Sequence, residues 1–195
     1  MTRQRRLTLS NRQRTRAVDL GFLRRTANTL LRDLLQSETF DLGIYVVGAP
    51  EMTHLNQTFL RHKGPTDVIT FDYTEPASAT ERRAPALRGE LTRSRSQQRA
   101  PSRRAGTLRS NASVPPQPAS LCGEIFVCLD EALAQARRFR TTWQRELTRY
   151  IVHGILHLVG HEDRAPAARR KMKRAEDRLL RQLARQFDLT HLGRQ

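Results

Sequence analysis

The stretch His153-Gly154-Ile155-Leu156-His157-Leu158-Val159-Gly160-His161-Glu162-Asp163 is where the chain's apolar pattern and its polar chemistry meet. Just upstream, Leu147, Ile151 and Val152 join Ile155 and Leu156 to make a segment apolar around most of its circumference. That pattern predicts a buried helix. Thr142 is an N-cap type residue at its start, with Trp143 and Glu146 behind it in capping-box-like spacing, and Gly160 is a plausible stop. Residues four apart share a helix face, so His153 and His157 can aim a nitrogen at one ion. Gly160 lets the chain turn out of the helix and back, which brings Asp163 round to the same point, with Glu162 and His161 also within reach. Two imidazoles and a carboxylate leave a coordination position open, the arrangement of a catalytic zinc site rather than a structural one. A His-x-x-x-His pair alone is a weak signal. Its setting strengthens it here, because polar groups in an apolar helix need partners. Zinc peptidases carry a glutamate directly after the first histidine as general base. Gly154 stands there instead, which argues against peptide hydrolysis.

Outward from this helix the chain alternates strand and helix signals. A short strand is expected near Leu7–Leu9. A helix is expected from about Val18 to Gln36, with Leu20, Leu23, Ala27, Leu30, Leu31 and Leu34 at helical spacing. The β-rich run from Gly43 to Gly48 predicts a buried strand, and Pro50 then opens a helix to about Leu60. A turn through Gly64-Pro65-Thr66-Asp67 leads to a strand at Val68–Phe71. A fourth strand is expected at Glu124–Cys128, followed by a helix from Asp130 to Phe139 and a last one from about Ala167 to Phe187. The expected fold is therefore α+β (mixed α/β). It is a single domain over 1–195, with a small mixed four-stranded sheet packed by about five helices and a zincin-like metal site.

Between the third and fourth strands the character changes. Residues 73–120 hold six of the nine prolines, seven serines and nine arginines. Such a stretch cannot bury enough surface to offset its ordering entropy, so 75–119 is expected to be a disordered basic insertion. Within it Leu87-Arg88-Gly89-Glu90-Leu91 resembles Leu121-Cys122-Gly123-Glu124-Ile125. The second copy is favoured for the strand, because it runs on into Phe126-Val127-Cys128.

The 195 residues are 37% hydrophobic, enough for one core, and carry a formal net charge of +16. No apolar run approaches the ~18 residues of a membrane span. The arginines near Met1 are followed by no apolar stretch, so a secretory signal is not expected. Cys122 and Cys128 cannot make a disulfide framework or a redox pair. A cytoplasmic protein with reduced thiols is the expectation. The positive charge sits in three places, residues 1–16, 73–120 and 164–186, and the remainder is slightly acidic. That distribution suits a polyanionic partner, since each cation that neutralises a phosphate releases counterions.

The chain resembles the YbeY family, bacterial ribosomal RNA maturation factors and metal-dependent endoribonucleases. That family's string is His-Gly-x-Leu-His-Leu-x-Gly-x-Asp-His, matched in order by His153, Gly154, Leu156, His157, Leu158 and Gly160. Leu55-Asn56, the block from Pro65 through Phe71, Gly123-Glu124-Ile125 and the Met172…Glu176 region match as well. Two positions depart. The family's third ligand is commonly histidine where this chain has Asp163, and its functional arginine falls on Leu60, with Arg61 adjacent. The resemblance implies a single-strand-specific endoribonuclease in 16S ribosomal RNA 3′ end maturation. It implies one divalent ion, zinc, on His153, His157 and Asp163, with His161 as the reserve ligand. Arg61 or Lys63 would stabilise charge on the phosphate. Implied partners are ribosomal RNA, the small ribosomal subunit, and ribosomal protein and GTPase partners, with no membrane. The alternative is a non-catalytic RNA-binding assembly factor with a structural metal.

Overall fold

In a computed structural model, residues 4–74 and 120–193 are described. The expected insertion at 75–119 lies outside them, as does the first of the two Leu-x-Gly-Glu copies. In chain order the elements are β1 (Arg5–Asn11), α1 (Leu20–Thr29), β2 (Phe40–Val47), α2 (Ala49–Leu55), β3 (Val68–Asp72), β4 (Leu121–Cys128), α3 (Leu129–Phe139), α4 (Trp143–Leu158) and α5 (Pro166–Gln186). The architecture is the expected α+β, one mixed four-stranded sheet with five helices. The strands lie in the order β1-β2-β4-β3. β1 and β4 run parallel to β2 on either side, while β3 is antiparallel to β4 at the edge.

Central β2 buries almost every position, and Leu42, Ile44, Val46 and Val47 are fully inaccessible. A strand covered on both faces reads as a continuous apolar run, which is how this one stood out in the sequence. Asp19 caps α1 by accepting from the Phe22 amide at 2.8 Å. The helical course beyond α1 and α2 ends in wider turns than a regular helix allows. Over Leu30–Leu34 the Leu35 amide reaches back five residues to the Leu30 carbonyl, and Asn56–Leu60 closes the same way. These inserted π-type turns re-aim the residues that follow them. The sequence pattern shows each segment as one long helix.

Helix α4 forms the floor of the molecule's chemistry. Ten of its residues are buried, and Thr142 accepts from the Arg145 amide at its N-terminus. The capping-box expectation is corrected in one detail. Glu146 lies one residue beyond the box position and takes the Thr141 hydroxyl instead, at 2.6 Å. Two glycines let α4 lie directly on the sheet. A Cβ at Gly123 would stand 2.5 Å from the Phe71 carbonyl oxygen and 2.9 Å from Leu158 Cδ2, and one at Gly154 would stand 2.7 Å from Ile125 Cγ2. Gly123→Ala is expected to cost more stability than Gly154→Ala. The first meets a backbone oxygen held in the ladder, the second the end of a side chain. Overpacking of this kind costs ~1–3 kcal/mol, and urea unfolding of the two variants checks the order.

Candidate metal centre

His153 and His157 project from the half-buried side of α4. Their Nε2 atoms face one another at 3.2 Å. Each ring is held from behind at Nδ1. His153 Nδ1 lies 3.0 Å from Glu176 Oε2, and His157 Nδ1 lies 3.1 Å from the carbonyl of His161. An imidazole whose Nδ1–H is engaged keeps Nε2 as a lone-pair donor, which is how ligating histidines are oriented in metal sites.

The third donor arrives by the turn at Gly160. Its φ of 85° is open to glycine and strained for other residues. The His161 amide closes back on the Leu156 carbonyl at 2.9 Å, and Arg169 Nε at the start of α5 grips the Asp163 carbonyl at 3.0 Å. The chain is thereby folded back so that one atom each of His153, His157 and Asp163 lies within 4.8 Å of the others. Among the described residues this is the one group of three such side chains so disposed. Around a tetrahedral zinc with bonds of ~2.0–2.2 Å, donor atoms stand roughly 3.3–3.5 Å apart. The 3.2 Å between the imidazole nitrogens is close to that, so the histidine pair suits a small divalent ion, with the Asp163 carboxylate within 4.8 Å of both.

Electrostatics agree with a ligand role. Burial, and then the neighbouring His153, hold His157 below the ordinary imidazole range, against an opposing pull from Asp163. His161 is lowered too, by burial and by Lys171 and Arg178. A lowered pKa favours the neutral ring that a cation requires.

Glu176 is the residue that spacing alone missed. It is buried on α5, 23 residues from His153, and its carboxylate gathers Arg149 at 2.6 Å and Lys173 at 2.9 Å besides the histidine. Burial pushes its pKa up, but the hydrogen bonds from His153, Lys173 and Arg149 outweigh that and hold the group at about 2. The signal in the sequence was faint: a glutamate on the apolar face of an otherwise basic helix, at the spacing of Met172, Leu179 and Leu183.

The three donors open on a cleft of about 650 Å³ whose walls include Leu60, Thr70, Leu158 and Arg164. Among the described residues Thr70 Oγ1, buried there, has no hydrogen-bond partner. Arg61 ends the Asn56–Leu60 turn in the left-handed conformation, at φ 57°. Leu60 lines the cleft, whereas Arg61 and Lys63 are exposed and outside its lining. Arg164, which the sequence reading passed over, is the cation on the cleft wall. Asp67 shapes the turn before β3, accepting from the Thr66 hydroxyl and the Val68 amide at 3.0 Å each. Trp143 packs against the core at the start of α4, as expected of a helix-start residue.

Residues 8–184 match the family model described as Endoribonuclease YbeY. A relative of that name from Salinibacter ruber is 29% identical over 175 residues, covering 89% of each chain. Another from Chlorobium luteolum is 27% identical over 170 residues, covering 87% of this chain and 93% of its own. The solution structure of a Thermotoga maritima protein covers 92% of this chain and 93% of its own, at 19% identity and a TM-score of 0.49.

Proposed function

Because the chain belongs to the YbeY endoribonuclease family, we propose that it hydrolyses phosphodiester bonds in ribosomal RNA, in the 3′ end maturation of the 16S species. The reading includes one divalent ion, zinc, held by His153, His157 and Asp163. What carries it is the convergence of two pre-oriented imidazole nitrogens and a carboxylate at the floor of an open cleft.

His153, His157 and Asp163 would hold such an ion, which when bound would supply Lewis acidity for phosphodiester hydrolysis. The remaining work falls to the chain's own side chains. Glu176 accepts the Nδ1 proton of His153, and the His161 carbonyl accepts that of His157. Both rings thus keep their lone pairs on the cleft side. Arg164 offers a guanidinium to the non-bridging oxygens of the phosphate, where charge grows in the transition state. Arg61 and Lys63 contribute from the turn outside the cleft, by binding flanking phosphates. Gly154 stands where a zinc peptidase carries its general-base glutamate, so α4 supplies no such base, and a Cβ there would stand 2.7 Å from Ile125 Cγ2. The ribosomal protein and GTPase partners implied by the family fit an enzyme that meets its RNA within an assembling small subunit. No described helix is long and apolar enough to cross a membrane.

The test is cleavage of a single-stranded RNA carrying an extended 16S 3′ end, with casein as the peptidase control. RNA cleavage that a chelator abolishes and zinc restores, with casein untouched, is the expected outcome. RNA cleavage that continues at full rate in chelator removes the ion from the mechanism. No cleavage with zinc present favours the non-catalytic assembly factor.

A further inference from the structure

Helix α5 carries a second feature that the metal centre does not use. At ~100° per residue, Lys171, Arg174, Arg178 and Arg181 fall in one stripe about 80° wide. It lies opposite the buried stripe of Met172, Glu176, Leu179 and Leu183. All four cations are exposed. Among the described residues none of them makes an ion pair or a side-chain hydrogen bond, whereas the acids nearby are already taken: Glu176 and Asp177 are bound by Arg149 and Lys173. A row of unneutralised cations raises its own electrostatic energy, and an anion laid along it relieves that energy.

The four also line a groove of about 620 Å³ together with His161, Ala175 and Asp177, whose carboxylate is already held by Arg149 and Lys173. His161 lines the metal cleft as well, so groove and cleft meet at that residue. From Lys171 to Arg181 the stripe extends about 15 Å along the helix axis. We infer that this groove is a backbone track for single-stranded RNA: Lys171, Arg174, Arg178 and Arg181 hold successive phosphates and lead the strand past His161 to the metal centre. The inference rests on the proposed nuclease reading for the direction of the strand, and on α5 alone for binding. An anionic membrane surface would meet the same charge. Continuity with the cleft favours a strand, since a flat surface cannot follow the groove into it.

The experiment uses the full chain with all four cations changed to glutamine, a good helix former on an exposed face. The pair Arg174→Gln/Arg178→Gln serves as a milder variant, and Arg137→Gln/Arg138→Gln on α3 as a control. Binding to a labelled single-stranded RNA, shown intact by gel, is followed from about 50 to about 300 mM salt. Each lost phosphate contact reduces the slope of log K against log salt by ~0.7, so the fourfold variant is expected to lose up to about 3 and the pair about half of that. KM for cleavage rises while kcat at saturation holds. A slope unchanged in both α5 variants, or reduced as much by the α3 control, overturns the track. So does an unchanged RNA slope accompanied by lost binding to phosphatidylserine vesicles, which would assign the stripe to a membrane. If the parent chain cleaves nothing and the α5 variants still lose their slope, the nuclease reading fails and the track stands.

Discussion

Replacing His157 by alanine is expected to remove the ion and to lower RNA cleavage by at least about 100-fold, or ~2.7 kcal/mol of transition-state stabilisation. The fold should survive. His157 lies on the half-buried side of α4, and among the described residues its ring meets only the His161 carbonyl and His153 Nε2 at hydrogen-bond distance. Its removal leaves His153 and Asp163, two donors that hold a divalent cation weakly. Metal content of the purified variant, circular dichroism and single-stranded RNA cleavage together check this. The paired control is His161→Ala. That ring is outside the three-residue group, and the backbone carbonyl that orients His157 remains. The His161 variant should keep its ion. An alanine at 157 that retains stoichiometric metal, or an alanine at 161 that loses it, would show the donor set to be misassigned.

The second large effect is expected at Glu176. Alanine there takes away the acceptor that orients His153, and losses of an orienting partner typically cost 10–100-fold in metal affinity. It also leaves Arg149, itself largely buried, without its shortest carboxylate contact. Breaking such a pair from one side costs ~3–5 kcal/mol where burial is complete. Asp177 and Glu146 still reach Arg149 at 3.0 and 3.3 Å, so the lower part of that range is expected. Glutamine at the same position separates charge from shape. The folded carboxyl sits at about 2 against an ordinary 4.5. Its ionised form therefore stabilises the fold above the ordinary value, and that stability is lost as pH falls from about 4.5 through about 2. With a chelator present throughout, the parent chain should lose on the order of 3 kcal/mol across that window from this group. Glu176→Gln should lack this part of the acid limb. Equal acid sensitivity in both proteins would mean that the carboxylate is not held as the geometry indicates.

Much of the molecule was legible before any coordinates. Strand β2 announced itself as an unbroken apolar run, α4 by apolar residues around its circumference, and Thr142 as a cap by its residue type. These are local properties, governed by neighbours within one turn or one pleat. The His153–His157 pairing is of the same kind, because helical pitch alone puts residues four apart on one face. Where a contact spans the chain, the pattern was silent. Gly48 has no side chain with which to cap α2, and Asp130 of α3 does it instead, accepting from the Ala49 amide at 2.7 Å. By sequence pattern alone, Asp130 marks only the start of α3.

The arginine question shows the limit most clearly. On a regular helix a shift of one residue turns a side chain by ~100°, so the string Leu60-Arg61 could not say which of the two faces the cleft. The wide turn over Asn56–Leu60 and the left-handed Arg61 after it put Leu60 on the wall.

Residue order by itself therefore determined the elements and the two imidazoles, consequences of short-range geometry that any chain with this pattern must obey, and its motifs carried the resemblance to the family. Tertiary structure alone decided the order of the strands and how near Asp163, which the Gly160 turn was expected to bring round, comes to the two rings. It also decided the choice of Leu60 over Arg61 and the placing of Glu176 behind His153. Each of these depends on how separate elements pack, and packing energy is shared among residues that no local pattern connects.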